Sequence, residues 1–288
     1  MRSKINNYLS LVKFSHTVFA MPFALIGYVY GISRSGIGFH LPLLIKVILC
    51  MVFARTAAMS FNRWADRKID AQNDRTRVRE IPSGVVSGKE ALLLTAFSSL
   101  AFIVTAWFIN PLCFYLSPAA LLIILGYSYT KRFTWLCHLI LGLGLSLAPI
   151  GAYLAVTGVF DLVPLLFSFA VLAWVGGFDI IYALQDEDFD RSRKLHSIPV
   201  LIGKKRALIL SSVLHALSFL FLLYAGLESG SGNIYWAGLA IFSALLIYQH
   251  SIISPDNLKR VNMAFFTTNG IASIVFAAFV ITEEILKW

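Results

Sequence analysis

Nine apolar stretches follow one another at 14–33, 41–61, 91–109, 111–129, 135–157, 162–183, 207–227, 234–253 and 264–282. Each is close to the roughly 20 residues that a helix needs to cross the hydrocarbon core of a bilayer. No other feature constrains the fold as strongly. Within hydrocarbon a backbone N–H or C=O must find its partner inside its own segment, so each stretch is expected to be an α-helix. The prediction is an all-α, multi-pass membrane protein with nine transmembrane helices. Nine spans use up nearly all 288 residues, so the chain reads as one domain, 1–288, without a separate soluble part. Asn110-Pro111 separates the third span from the fourth, and Pro22 is expected to kink the first.

Composition supports this reading. The chain is 58% hydrophobic and 14% charged, against about 25% charged in an average soluble domain. That balance excludes a disordered chain, a nucleic-acid-binding domain and an ordinary cytosolic enzyme. The net charge of +9 does not form a basic face, because the basic residues sit in short blocks between apolar runs. With the N-terminus inside, the inner segments carry twenty Lys and Arg, whereas the outer segments carry only Arg34 and Lys287. This positive-inside bias places the N-terminus and the basic loops on the cytoplasmic face of the cell's inner membrane, and the C-terminus outside. The first 13 residues are basic and mixed, and the apolar stretch after them is long enough to span, so no cleavable signal peptide is expected. Cys50, Cys113 and Cys137 share no metal spacing and read as packing residues.

Two inner loops, 62–90 and 184–206, are long and rich in both acid and base. At the inner end of the second span, Asn62, Asp66 and Asp70 are spaced four apart. Each step turns a helix by about 400°, so the three drift by only about 40° per step and share a face. At the inner end of the sixth span, Tyr182, Asp186 and Asp190 repeat the spacing, and Asp179 lies three residues before Tyr182, deeper in the membrane. Unpaired carboxylates this close would repel and raise one another's pKa. Mg²⁺ removes that conflict, since it takes carboxylate oxygens together with substrate phosphate oxygens. A carboxylate within a span is costly and usually functional, which singles out Asp179. Glu187 and Asp188 fall off the shared face and read as solvated, or at most as supporting the aligned carboxylates from behind. A diphosphate needs cations besides its metal, and Arg55, on nearly the same face as Asn62 and two turns deeper, is the first of these. Lys131 and Arg132 end the fourth span on the same inner side, and His196 in the second basic loop is a further candidate for substrate contact. His16 and His215 read as residues lining spans. Asp74-Arg75-Thr76-Arg77 and Asp190-Arg191-Ser192-Arg193 each follow an acidic ladder, which suggests a weak repeat of two four-helix units with the ninth span extra.

Together, Asn62-x-x-x-Asp66-x-x-x-Asp70, Arg75-Thr76-x-x-Arg79-x-x-Pro82-Ser83-Gly84 and Asp179-x-x-Tyr182-x-x-x-Asp186-x-x-x-Asp190 resemble the UbiA-type intramembrane aromatic prenyltransferases over nearly the whole chain. The resemblance implies nine transmembrane helices around a central cavity with a lateral opening to lipid. It also implies transfer of a polyprenyl group from polyprenyl diphosphate to an aromatic acid. Asp66, Asp70, Asp186 and Asp190 match the catalytic positions that hold Mg²⁺ and the diphosphate. Asn62 matches the first position of that motif, while Arg55, Arg79 and Lys131 match positions of diphosphate or acceptor contact. Asp179 and Tyr182 join the substrate-binding set. Tyr182 has two candidate roles, cation stabilisation by its ring or diphosphate binding by its hydroxyl.

Two departures bear on the acceptor. Arg63 stands where many members are acidic. Leu195-His196-Ser197-Ile198-Pro199 resembles a branch that takes in both 4-hydroxybenzoate and dihydroxynaphthoate enzymes. The expected function is therefore Mg-dependent prenylation of a 4-hydroxybenzoate-like acid in quinone biosynthesis. The alternative acceptor is 1,4-dihydroxy-6-naphthoate, on the futalosine route to menaquinone. An anion transporter is the rival of another class, and it predicts broken helices meeting near the bilayer midplane.

Overall fold

The structure, a computed structural model, describes residues 4–12 and 19–287. Arg2, Lys13 and His16, and with them the start of the first expected span, lie outside the described residues. The order of helices is α1 (Lys4–Leu11), α2 (Met21–Ser35), α3 (Leu41–Asp70), α4 (Gly88–Trp107), α5 (Pro111–Thr130), α6 (Cys137–Thr157), α7 (Leu162–Ala183), α8 (Glu187–Ser192), α9 (Ile198–Glu228), α10 (Asn233–Ser251) and α11 (Asn269–Leu286). Among the described residues there is no named strand. Seven helical segments are long and apolar enough to cross a membrane: α3, α4, α5, α6, Leu162–Ser192, α9 and Met263–Leu286. The protein is thus an integral membrane protein. Of the remaining two expected spans, α2 has 15 described residues, and α10 is diluted by Asn233 and Gln249-His250.

Local chemistry sets the helix ends. Asn110 accepts a hydrogen bond from Cys113 N at 2.8 Å and caps α5. Ser87 and Glu90 form a reciprocal capping box that starts α4. Pro22 stands in the first turn of α2, where its missing N–H costs nothing, so it opens the helix rather than kinking it. The seventh expected span begins earlier than the sequence suggested. Helix α9 starts at Ile198, and Gly203, at φ 79° and ψ 160°, breaks it before the membrane crossing proper. The second acidic ladder is not one continuous α-helix either. Helix α7 ends at Ala183, Leu184–Asp186 is a 3₁₀ turn, and α8 follows.

Small residues let the backbones approach, as helices in a membrane require. A Cβ on Gly27 of α2 would lie 2.0 Å from the Pro149 carbonyl oxygen of α6, and one on Gly142 of α6 would lie 2.4 Å from the Leu172 carbonyl oxygen of α7. Helix α7 is the central helix, with Val171, Trp174, Val175 and Ile181 fully buried. Trp174 packs on Phe23, Phe178 and Phe242. Its indole N–H donates to Asn269 Oδ1 at 2.9 Å, and Asn269 in turn donates to the Ala264 and Phe265 carbonyls, both at 3.0 Å. Those bonds support a π-helical turn at Met263–Thr268. Helix α1 lies across the loop after α3. Leu11 is buried with Val86 and Ala91, Ser10 Oγ donates to Glu80 at 2.5 Å, and Tyr8 donates to Glu90 at 3.3 Å.

Candidate active site

Thirty residues of α3 rise about 45 Å at 1.5 Å per residue, more than the roughly 30 Å of hydrocarbon in a bilayer. Its last turns therefore carry Asn62, Asp66 and Asp70 to the membrane boundary. The extended end of α7 brings Asp186 and Asp190 to the same mouth. Both sets line one cavity of about 1190 Å³, along with Arg55, Arg79, Lys131, Asp179 and Tyr182. These ten residues of the expected site, and Arg132 with them, are thus brought to one cavity. His196 is not: its backbone N–H donates to the Lys131 carbonyl at 2.7 Å, its ring packs edge-on against Trp135, and it does not line the cavity.

Every carboxylate of the two ladders is matched by a cation. Arg79 Nη1 reaches Asp70 Oδ1 and Oδ2 at 2.7 and 2.9 Å. Arg132 Nη2 lies 3.3 Å from Asp66 Oδ1, and Asn62 Nδ2 donates to Asp66 Oδ2 at 3.0 Å. Arg75 forms a two-pronged pair with Asp186, its Nε 3.0 Å from Oδ1, while its Nη1 donates to the Tyr182 hydroxyl at 2.7 Å. Asn73 Nδ2 adds a bond to Asp186 at 3.2 Å. Lys131 Nζ lies 2.7 Å from Asp190 Oδ1. Burial works against the charge on Lys131, but the Asp190 carboxylate beside it holds its ammonium above the ordinary lysine range. These contacts tie the loop after α3 to the end of α7, and the end of α5 to α8. The two ladders, far apart in sequence, therefore face each other across the mouth.

The residues present fit a hard divalent cation. Asp190 is fully buried; its Oδ1 meets the Lys131 ammonium at 2.7 Å, while its Oδ2 has no hydrogen-bond partner among the described residues. The donors are all carboxylate oxygens, which suits Mg²⁺ better than a softer metal. Among the described residues no three His, Cys, Asp or Glu form a ready-made metal cluster. Mg²⁺ typically takes only one or two carboxylates plus water and substrate phosphate, so paired carboxylates suffice.

Sequence reading missed several residues of the site. Arg75 was visible in the repeated Asp-Arg-Thr/Ser-Arg motif, but its pairing with Asp186 depends on how the loop folds. Glu187 is buried and paired with Arg191 at 2.7 Å, with Lys204 4.0 Å away, so it is not a solvated residue. Arg63 is buried at the cavity wall. Phe265 and Phe266, brought to the cavity by the π turn, form an aromatic wall with Tyr182, whose ring centroid is 4.2 Å from that of Phe265. His138, from the first turn of α6, bonds Asp179 at 2.6 Å. The available signal was a histidine and an aspartate both inside apolar spans.

Fold and site define a class: a helical membrane protein with a charged mouth over an apolar chamber. The chain belongs to the UbiA prenyltransferase family, whose family model matches residues 20–271. It is a membrane-embedded prenyltransferase. It is 32% identical over 238 residues to the 4-hydroxybenzoate octaprenyltransferase of Aeromonas hydrophila, covering 83% of each chain. To that of Nitrosospira multiformis it is 33% identical over 243 residues, covering 84% of this chain and 83% of that one. Among solved structures, an apo UbiA homologue from Aeropyrum pernix K1 superposes with a TM-score of 0.83 at 34% identity, covering 93% of this chain and 97% of that one. A UbiA homologue from Archaeoglobus fulgidus bound to GPP and Mg²⁺ shares the fold, with a TM-score of 0.74 at 24% identity, covering 96% of this chain and 98% of that one.

Proposed function

We propose that the protein transfers a polyprenyl group from its diphosphate to the ring of a 4-hydroxybenzoate-like acid, in quinone biosynthesis, at the cytoplasmic face of the inner membrane. The observation that carries this reading is the meeting of two carboxylate pairs with four basic side chains over an apolar cavity. The names of the curated relatives support the acceptor, and the GPP- and Mg²⁺-bound neighbour supports the donor and the metal. In this reading α2 and α10 also cross the membrane, which gives nine spans around the cavity, and 1–288 is one catalytic domain.

Asp66, Asp70, Asp186 and Asp190 would hold Mg²⁺. When bound, the metal neutralises charge that builds on the departing diphosphate. The cations of this chain share that task. Arg75, Arg79 and Lys131 now rest on carboxylates, and an arriving diphosphate offers them a second anion at the same mouth. Asn62 sits where it can donate to a phosphate oxygen or a metal-bound water, and Arg55 extends the positive lining deeper. As the allylic C–O bond loosens, the aromatic wall of Phe265 and Phe266 borders the developing cation with its π systems, whereas the Tyr182 ring already carries the Arg75 guanidinium 5.0 Å from its centroid. The apolar walls keep water from the allylic carbon, so the electron-rich ring captures it.

The broken midplane helices of a transporter are not the pattern found here. Among the described residues the irregular turns at Leu184–Asp186 and Gly203 lie at the mouth end, and α7 is continuous through the bilayer.

The test is prenylation by purified protein supplied with polyprenyl diphosphate, Mg²⁺ and a panel of benzoate and naphthoate acceptors, with products identified by mass spectrometry. Chelation with EDTA is expected to stop product formation. Asp66→Ala and Asp186→Ala are each expected to lower turnover about 100-fold or more, with membrane insertion intact. Product formation indifferent to EDTA overturns the reading, and exclusive use of a naphthoate moves the acceptor to the futalosine route.

A further inference from the structure

One pair of ionisable side chains lines the cavity and takes no part in holding the diphosphate: Asp179 and His138. Asp179 stands on α7, three residues before Tyr182 and seven before Asp186, so it lies deeper in the membrane than the carboxylates of the mouth. The new carbon–carbon bond forms at the first carbon beyond the bridging oxygen. The reacting ring must therefore sit on the membrane side of the diphosphate, at the level of Asp179. The aromatic wall of Phe178, Tyr182 and Phe265 borders the same part of the cavity.

The hydrogen bonds of the pair are directional. The Ile198 backbone N–H, one of the unsatisfied donors in the first turn of α9, points at His138 Nε2 at 3.3 Å. A ring that accepts at Nε2 carries its proton on Nδ1. His138 Nδ1–H then donates to Asp179 Oδ2, at 2.6 Å. Asp179 Oδ1 makes no hydrogen bond to the protein among the described residues, and the side chain is 21% exposed, on the cavity side. A neutral Asn–Gln pair would tie the same helices together without placing a carboxylate in the membrane. The charge is therefore explained by a ligand with a hydroxyl to give up.

We propose that Asp179 accepts the ring-hydroxyl proton of the aromatic substrate, and that His138 is the positioning residue that aims its free oxygen into the cavity. The proposal rests on the prenyl-transfer reading and names the group that activates the acceptor. The hydroxyl proton passes to Asp179 Oδ1, and the phenolate so formed directs electron density to its ortho carbon. The allylic C–O bond breaks, its electron pair leaving on the diphosphate, while the ortho carbon supplies the pair for the new C–C bond. The resulting dienone loses its ring C–H proton to the departing diphosphate and regains the hydroxyl proton from Asp179, which restores the aromatic phenol and the free carboxylate.

The experiment compares wild type, Asp179→Asn and His138→Gln with 4-hydroxybenzoate and with its 3-fluoro analogue, whose hydroxyl is more acidic. Affinity for a non-reacting prenyl thiodiphosphate is measured alongside. Asp179→Asn is expected to lower kcat with 4-hydroxybenzoate about 100-fold, within the range for losing a general base. Analogue affinity should stay within about twofold, and the fluorinated acceptor should recover about tenfold of the loss, because its hydroxyl ionises with less help. His138→Gln should show a smaller loss with the same recovery, and it carries the test if the Asn variant does not fold. Wild-type turnover in Asp179→Asn, equal losses with both acceptors, or a parallel fall in analogue affinity overturns the proposal. A wild type inert toward every hydroxylated acceptor overturns the prenyl-transfer reading as well, so the two failures are distinct.

Discussion

Arg79 and Asp70 show how single residues set the resting state of the mouth. The guanidinium reaches both oxygens of a buried carboxylate. Such a pair is weak evidence for stability, because both groups lose hydration on burial, but removing one partner leaves the other exposed to its neighbours. Without Arg79, Asp70 would face Asp66 with less compensation, and a diphosphate would lose one cation at the mouth. Arg79→Ala is expected to raise the KM for polyprenyl diphosphate about tenfold or more, as loss of one member of a hydrogen-bonded charge pair does. Arg79→Lys should fall between Arg79→Ala and the wild type, since an ammonium cannot reproduce the two-oxygen contact. Steady-state kinetics at saturating Mg²⁺ separates the three. The acidic residues were legible one by one, since spacing of four in a helix is enough to align them. Which cation meets which carboxylate was not, because Arg75 and Arg132 reach them from a loop and from the end of another helix.

At the scale of elements, the site depends on where helices are interrupted. Gly203 adopts a backbone conformation reserved for glycine, and it lets the first turn of α9 leave the helix axis and meet His138. Gly203→Ala is expected to cost about 1–3 kcal/mol, the range for forcing a side chain into such a region, read as a lower Tm in detergent. The 3₁₀ turn at Leu184–Asp186 re-aims the second ladder, and the π turn at Met263–Thr268 presents Phe265 and Phe266 side by side. π turns recur at functional sites because the extra residue frees a carbonyl and rotates the side chains that follow. Apolar periodicity detects the long helices around these turns but is blind to a shift of one residue in hydrogen bonding.

At the scale of the whole molecule, the cavity is a junction between the charged mouth and the lipid-facing helices. Its wall on α6 includes Gly144, Ala148 and Gly151. A Cβ built on Gly151 would meet nothing within 4 Å, so the space beside it is open. In the prenyl-transfer reading that space takes the isoprenoid tail. Gly151→Phe is expected to shorten the longest prenyl diphosphate used efficiently, while turnover with geranyl diphosphate stays within about threefold of wild type, the mouth being untouched. Competition between short and long donors, read by product mass, tests this. Gly27 shows the opposite case: its missing Cβ is filled by the Pro149 carbonyl of α6. Gly27→Leu is therefore expected to destabilise the fold by about 1–3 kcal/mol or more, read as loss of monodisperse protein on heating.

The sequence by itself determined the class of the molecule, because a bilayer permits so few backbone solutions that a row of apolar stretches leaves little choice but a helical membrane protein. It also marked the carboxylates, because polar groups at the ends of such spans cannot be hidden. Tertiary structure alone decided which charges meet. Asp186 with Arg75, Asp190 with Lys131 and Asp179 with His138 join residues from different helices and loops. Periodicity is a property of one segment, whereas an ion pair across a cavity depends on how several helices pack, and glycine contacts and irregular turns set that packing.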